Sequence, residues 1–184
     1  MRSELNNDER MNALFAAHFE SVRAYCHRRL SVNDANDAVA EVFMTAWQKI
    51  DQLPAEPGTL PYLYGIARNT VAHSRRSFSR RRRLRDRVGS LAVDWPADPE
   101  TVVLAGAERD GVMEALAGLS DADQEVLRLR TWEELTAPQI ASVLGISTSA
   151  AEKRLTRATD RLRAAVARID DRTRPHASQG GGER

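Results

Sequence analysis

Apolar residues recur at intervals of three and four along almost the whole chain, and no segment sustains the period of two that marks a strand. Residues 11–30 bring Leu14, Phe15, Phe19, Val22 and Tyr25 to one side of a helix. Residues 34–50 are the cleanest amphipathic segment. Val39, Val42, Phe43, Ala46, Trp47 and Ile50 share one face there, and Asp34, Asp37 and Glu41 lie opposite. LPAEPGTLP then breaks the pattern with three prolines and a glycine, and a helix runs from about Tyr62 to about Arg83. Residues 88–100 contain two prolines and little helical period, so they start a linker. Their acidic, apolar-sprinkled composition suits an extended segment on another surface and plain disorder equally well. Helical periodicity returns over residues 101–117, and Ser120 with Asp123 opens a further helix carrying Val126, Leu127 and Leu129.

Residues 136–163, TAPQIASVLGISTSAAEKRLTRATDRLR, are the most specific stretch. Thr136 caps a short helix and Gln139 completes a capping box. Ile140, Ala141 and Leu144 form its apolar face, and Gly145 ends it because glycine enters the left-handed region freely. Ile146 plugs the turn and Ser147 caps a second helix. That helix buries Ala151, Leu155, Ala158, Leu162 and Val166, and shows Lys153, Arg154, Arg157, Arg161 and Arg163 on its other face. The pattern predicts a helix-turn-helix whose second helix fits a major groove. A helical hairpin with a solvated basic face is the plainer reading; the agreement of caps, turn, register and charge favours the first.

The expected fold is all-α, with two small helical domains joined by an extended linker. Residues 1–87 form the first unit, 88–107 the linker, 108–170 the helix-turn-helix unit and 171–184 a disordered tail. The net charge is only +1, but residues 62–90 hold nine arginines against the single acid Asp86. Such a local excess points to a polyanion site, although charge runs are in general more often simply solvated. Tyr62, Tyr64 and Phe78 interleave with Arg68, Asn69, Arg75, Arg76 and Arg80 to Arg83, a mixture that suits melted or single-stranded nucleic acid. Core packing is the alternative for the tyrosines, and non-specific backbone attraction is the reading for Arg80 to Arg83. The acidic face of residues 34–50 is either solvated or a protein-docking face. Cys26 is the lone cysteine, which excludes an internal disulfide and a multi-cysteine metal site, and packing is its expected role rather than redox sensing. No 18-residue apolar run or signal-peptide core occurs, so no membrane association and a cytoplasmic location are expected.

DANDAVAEVFMTAWQKI and YLYGIARNTVAHSRRS resemble region 2 of the extracytoplasmic-function (ECF) branch of bacterial sigma-70 family factors. LSDADQEVLRLRTWEELTAPQIASVLGISTSAAEKRLTRATDRLR resembles region 4 of the same branch. The resemblance covers roughly residues 11–83 and 108–168, in the family's order. It implies an alternative sigma factor that binds core RNA polymerase and reads a melted −10 element and a duplex −35 element. It implies that Asp37, Glu41, Val42 and Phe43 dock on the β′ clamp helices, with the β flap as a second contact. The loop from Asp51 to Pro61 would lie at the −10 element with Tyr62, Arg68, Asn69, Arg75 and Arg76. Ser149, Glu152, Lys153, Arg154, Thr156 and Arg157 would face the −35 element. An anti-sigma factor is a further partner that the resemblance implies.

Four positions depart from the family pattern. Tyr62 stands for the usual tryptophan, a mild change, His73 for a frequent aspartate, Glu152 where many members have lysine or arginine, and Ala151 for valine, which thins the packing under that helix. An acid at 152 would repel phosphate or accept a hydrogen bond from cytosine N4. No cofactor is expected, and no nucleotide loop, zinc spacing or nucleophile motif suggests an enzyme. The competing readings are a stand-alone helix-turn-helix regulator that acts without polymerase and a helical adaptor that binds protein through its acidic face.

Overall fold

Local signals in the sequence set most helix boundaries. A computed structural model describes the backbone of residues 2–86 and 106–173 and the side chains of residues 6–76 and 110–172. The elements are α1 (Arg2–His27), α2 (Val32–Gln48), a 3-10 turn (Ile50–Gln52), α3 (Thr59–Asp86), α4 (Gly106–Ala117), α5 (Asp121–Thr131), α6 (Ala137–Leu144) and α7 (Thr148–Thr173). No strand occurs among the described residues. Ser31 caps α2, with the Asp34 amide donating to its Oγ at 3.4 Å, and Ser120 caps α5 through the Asp123 amide at 3.2 Å. Thr136 donates its amide to Gln139 Oε1 at 2.9 Å, closing the reciprocal half of the expected box. Gly145 takes φ +65° at the end of α6, and the Ala150 amide donates to Ser147 Oγ at 3.2 Å to start α7.

Two boundaries differ from expectation. Helix α3 begins at Thr59, so the loop ends sooner and Pro61 lies inside the first turn. The first amides of a helix have no intrahelical acceptor, so proline costs no hydrogen bond there. Helix α7 continues through 171–173, the start of the expected tail. Helix α4, from Gly106 to Ala117, falls within the helix expected over 101–117. The rest of the linker and of the tail lies outside the described residues.

Helices α1, α2 and α3 enclose the first core around Val22, Tyr25, Cys26, Val42, Leu63 and Ala67. Phe15 stacks on Phe19 at 4.6 Å and tilts against Phe43 at 4.9 Å, closing one end of it. The second unit packs α5, α6 and α7 on Val126, Leu129, Ile140, Ala151 and Ala158. The register of α7 is followed at four of the five expected positions: Ala151 and Ala158 are buried and Leu155 and Leu162 pack against the core, whereas Val166 is only half-buried.

The two units also pack on each other, which a tethered pair of domains did not predict. Helix α3 lies along α6. Gly65 comes so near that a Cβ there would sit 3.9 Å from the Val143 carbonyl oxygen, an ordinary contact distance. At the end of α1, Arg29 reaches across to the second unit and is 2% exposed. Its Nε donates to Glu125 Oε2 at 3.1 Å and its Nη1 to Glu133 Oε1 at 2.8 Å. The Tyr25 hydroxyl donates to Glu125 Oε1 at 2.8 Å, and the Arg29 guanidinium lies 3.6 Å over the Tyr25 ring. Burial disfavours the Arg29 charge, but Tyr25, Glu125 and Glu133 outweigh it and hold the guanidinium firmly protonated.

Candidate nucleic-acid interface

The short α6, the αL turn at Gly145 and the longer α7 build the helix-turn-helix expected from the caps and glycine. Ile140 and Ala141 on α6 and Ala151 and Ala158 on α7 are buried, which fixes the angle between the helices. The outer face of α7 then presents Ser149, Glu152, Lys153, Thr156 and Arg157 to solvent, with Arg154 half-buried. Their spacing covers two turns near the N-terminal end of α7, the part of a recognition helix that reaches base edges. Thr156 donates its hydroxyl to the Glu152 carbonyl at 3.1 Å, so toward a base it acts as an acceptor. Arg161, expected on the same basic face, instead bonds to α5. Its Nη1 lies 2.6 Å from Asp123 Oδ2.

The second candidate surface is on α3. Tyr62, Asn69 and Arg76 follow one another at two-turn intervals and share a stripe. Asn69 and Arg76 are exposed and Tyr62 is half-exposed. Tyr64, by contrast, is buried and stacks on Tyr25 at 5.1 Å, so the core-packing alternative holds for it. Arg68 and Arg75 lie on a different side of α3. Arg75 is half-buried and donates to the Arg29 carbonyl at 3.2 Å. Burial lowers the pKa of Arg75, and the nearby Arg29 adds to that against the opposing pull of Glu125. The side chains of Arg80 to Arg83 and Phe78 lie outside the described residues.

The loop ahead of α3 is anchored to α1. Arg10 donates to the Ile50 carbonyl at 2.7 Å and to Asp51 Oδ1 at 3.1 Å, and His18 Nε2 lies 2.9 Å from Glu56 Oε1. Thr59 donates its hydroxyl to the Pro54 carbonyl at 2.8 Å. Three of these contacts tie the segment to α1, and the Thr59 bond ties it to the start of α3.

On α2, Asp37 and Glu41 are exposed, as the acidic face requires. Val42 and Phe43, grouped with them above, are 0% and 5% exposed. They face the first core and the Phe15–Phe19 pair, so they support α2 and do not face a partner. The exposed apolar residues beside the two acids are Met44 and Trp47, at 60% and 40% exposure. Trp47, grouped with the apolar face in sequence, sits at its edge.

Sequence reasoning missed Arg29, Glu125 and Glu133. Only a tertiary contact distinguishes them from other charged residues on or beside the helices. Cys26 is buried, and burial pushes its thiol up to about 12, with Arg29 opposing. That is the environment of a packed thiol, and it runs against a redox-sensing role.

Two family models match the chain, sigma-70 region 2 over residues 14–83 and sigma-70 region 4 over residues 109–162. The RNA polymerase sigma factor NccH of Alcaligenes xylosoxydans xylosoxydans is 31% identical over 136 residues, which cover 72% of this chain and 73% of that one. The ECF RNA polymerase sigma factor SigL of Mycobacterium tuberculosis is 30% identical over 158 residues, covering 83% and 86%. The probable sigma factor RfaY of Xanthomonas campestris is 34% identical, but the match spans only 33% of its length. Among solved structures, the sigma factor RpoE in complex with the anti-sigma factor NepR from Bartonella quintana shares the fold. Its TM-score is 0.61 at 24% identity, over 83% of this chain and 94% of that one. CnrH in complex with the cytosolic domain of CnrY gives 0.58 at 24% identity, over 89% of each.

Proposed function

The chain belongs to the ECF branch of the sigma-70 family of RNA polymerase sigma factors, and from that membership we propose that it binds core RNA polymerase and directs promoter-specific initiation. The observation that carries this reading is the presence, in one chain and in the family's order, of both matched regions with exposed polar faces. The α7 face reads duplex −35 DNA. The Tyr62–Asn69–Arg76 stripe and the anchored loop hold melted −10 DNA. The Asp37/Glu41 face of α2, with Met44 and Trp47, docks on core polymerase.

The chain works as an initiation factor and not as an enzyme, in the compartment where polymerase works. No helix among the described residues is long and apolar enough to cross a membrane. An anti-sigma factor is a further partner in this reading, supported by the sigma factor RpoE above, which was solved with the anti-sigma factor NepR. A stand-alone helix-turn-helix regulator explains α4–α7 but gives residues 14–83 no role.

Run-off transcription with purified core polymerase over a promoter library tests the proposal. Discrete transcripts that require this chain are expected. Failure to bind core polymerase, with duplex binding retained, would transfer the assignment to the stand-alone regulator.

A further inference from the structure

The segment proposed to help hold melted −10 DNA carries charge of the wrong sign for that task. Residues 50–60, IDQLPAEPGTL, contain two acids, Asp51 and Glu56, and no lysine or arginine. Carboxylates left free there would repel a phosphate backbone. Both are paired with α1. Arg10 Nη1 lies 3.1 Å from Asp51 Oδ1, and His18 Nε2 lies 2.9 Å from Glu56 Oε1. An ionised carboxylate only accepts, so the imidazole donates its Nε2–H. The two acidic side chains stay 80% and 62% exposed, so the pairs turn them toward α1 without burying them.

Arg10 and His18 stand on one face of α1, about 12 Å apart along its axis. The loop does not settle closely onto the helix between them. An open groove of about 470 Å³ runs there, with Ala13, Leu14 and Ala17 on one side and Leu53 and Pro54 on the other. Leu53 packs against the core, but Pro54 to Pro57 are exposed, so packing does little to fix their path. Polar contacts at both ends of the groove do. Arg10 also donates to the Ile50 carbonyl at 2.7 Å, and His18 holds Glu56 at the other end. The Tyr62 amide donates to the Gly58 carbonyl at 3.1 Å, so the first turn of α3 continues the braced segment. Exposed pairs of this kind add little to global stability. Their effect is local: a loop already held in its bound path loses less conformational freedom when it takes a ligand.

We propose that Arg10 and His18 are positioning residues for promoter opening. From α1 they hold residues 50–58 in the path that meets melted DNA, and they draw the two carboxylates of that segment away from phosphate. The proposal rests on the sigma reading above, and its test separates the two.

A nitroxide on a cysteine placed at the exposed Ala55 reports loop mobility in the free, full-length chain, and the native Cys26 is buried. The comparator adds Arg10→Ala and His18→Ala together. Both proteins, unlabelled, are then assayed with bacterial core RNA polymerase on a promoter recovered from the run-off library. Core affinity, closed-complex affinity and the rate of opening are measured. The double variant should mobilise the label and slow opening about fivefold or more, with both affinities held within about twofold. His18→Gln keeps an N–H donor near the place of Nε2 and should match the wild type in mobility and opening, whereas His18→Ala should show part of the defect. Should the double variant lose helicity, this pair of single variants decides in its place. An unmoved label in a helical variant, a mobile label with an unaltered opening rate, or an equal loss of core affinity overturns the proposal. Absence of core binding by every form overturns the sigma reading, while the label still decides whether α1 holds the loop.

Discussion

Arg161 Nη1 sits 2.6 Å from Asp123 Oδ2, so the C-terminal half of the recognition helix is tied to the first turn of α5. Asp123 is buried while Arg161 is 60% exposed. Burial pushes the Asp123 carboxyl up. Hydrogen bonds from Arg161 and Ser120, with the Arg161 and Arg154 charges, outweigh that and hold it below its usual range. A carboxylate depressed in the folded state contributes stability above its unfolded pKa, and that contribution is lost as pH falls through the folded value. Asp123→Asn should therefore cost about 1 kcal/mol at pH 7, the low end for a charge-assisted bond because solvent screens the arginine. The gap between variant and wild type should close below about pH 4. Urea unfolding at pH 7 and pH 3 checks this, and an equal gap at both would show that the ion pair is not its source.

The core-docking face is expected to act through both its acids and its exposed apolar residues. Reversing Asp37 and Glu41 to lysine should weaken binding to core polymerase roughly tenfold. Stability should move by no more than about 0.5 kcal/mol, since both are surface positions. Trp47→Ala should cost about 2 kcal/mol of core affinity if the indole is a docking anchor. Val42→Ala, by contrast, should lower stability by about 1 kcal/mol or more and affect core binding only through folding. Fluorescence anisotropy against core polymerase, paired with thermal melts, separates these effects. Unchanged affinity in the charge-reversed variant would place docking elsewhere.

The parts of the fold that were legible in sequence are those set by local chemistry. Thr136, Gly145 and Ser147 announce the helix-turn-helix because capping and αL turns need particular residues at particular places. Ser31 and Ser120 do the same for α2 and α5. The start of α3 was misplaced because Pro61 reads as a breaker, whereas the first turn of a helix tolerates it. Val42 and Phe43 were grouped with a docking face because a motif in sequence does not say which of its residues face inward. The Arg29 cluster was invisible for a stronger reason. Its members are about a hundred residues apart in sequence, and a charged residue near a helix end is ordinarily solvated.

Cys26 should be inert in the native protein. Its thiol is buried and pushed up to about 12. A thiol reagent at pH 8 should label it only at the rate of unfolding, and fully in denaturant. Rapid stoichiometric labelling of the native chain would restore a sensing role.

On α3, Asn69 and Arg76 are exposed along one stripe while Arg75 is drawn toward α1. Asn69→Ala should impair promoter melting more than closed-complex formation, because a base pocket acts only on an unstacked base. The loss should be about 1–3 kcal/mol. Arg76→Ala should weaken melted-strand binding regardless of sequence. Permanganate footprinting and strand-binding assays distinguish the two. Normal melting in Asn69→Ala would move the pocket off this stripe.

The proposed recognition helix carries the sharpest test, because Glu152 is exposed among cations on the face proposed to meet DNA. Lys153 and Arg157 lie one and five residues further along α7, so all three project toward one stretch of groove. If Arg157 reads a guanine edge, Arg157→Ala should cost about 1–3 kcal/mol and relax preference at a single position. If it holds only phosphate, all sequences should weaken alike and the salt slope should fall by about one unit. Glu152→Lys separates two roles in the same way. Relief of backbone repulsion should tighten binding to every duplex, whereas loss of an acceptor for cytosine N4 should change the selected base. We expect the second outcome, because two cations already flank Glu152 and a purely repulsive acid there would work against them. Binding-site selection with the wild type and both variants decides, and identical selected sequences with identical affinities would remove residues 152–157 from the reading surface.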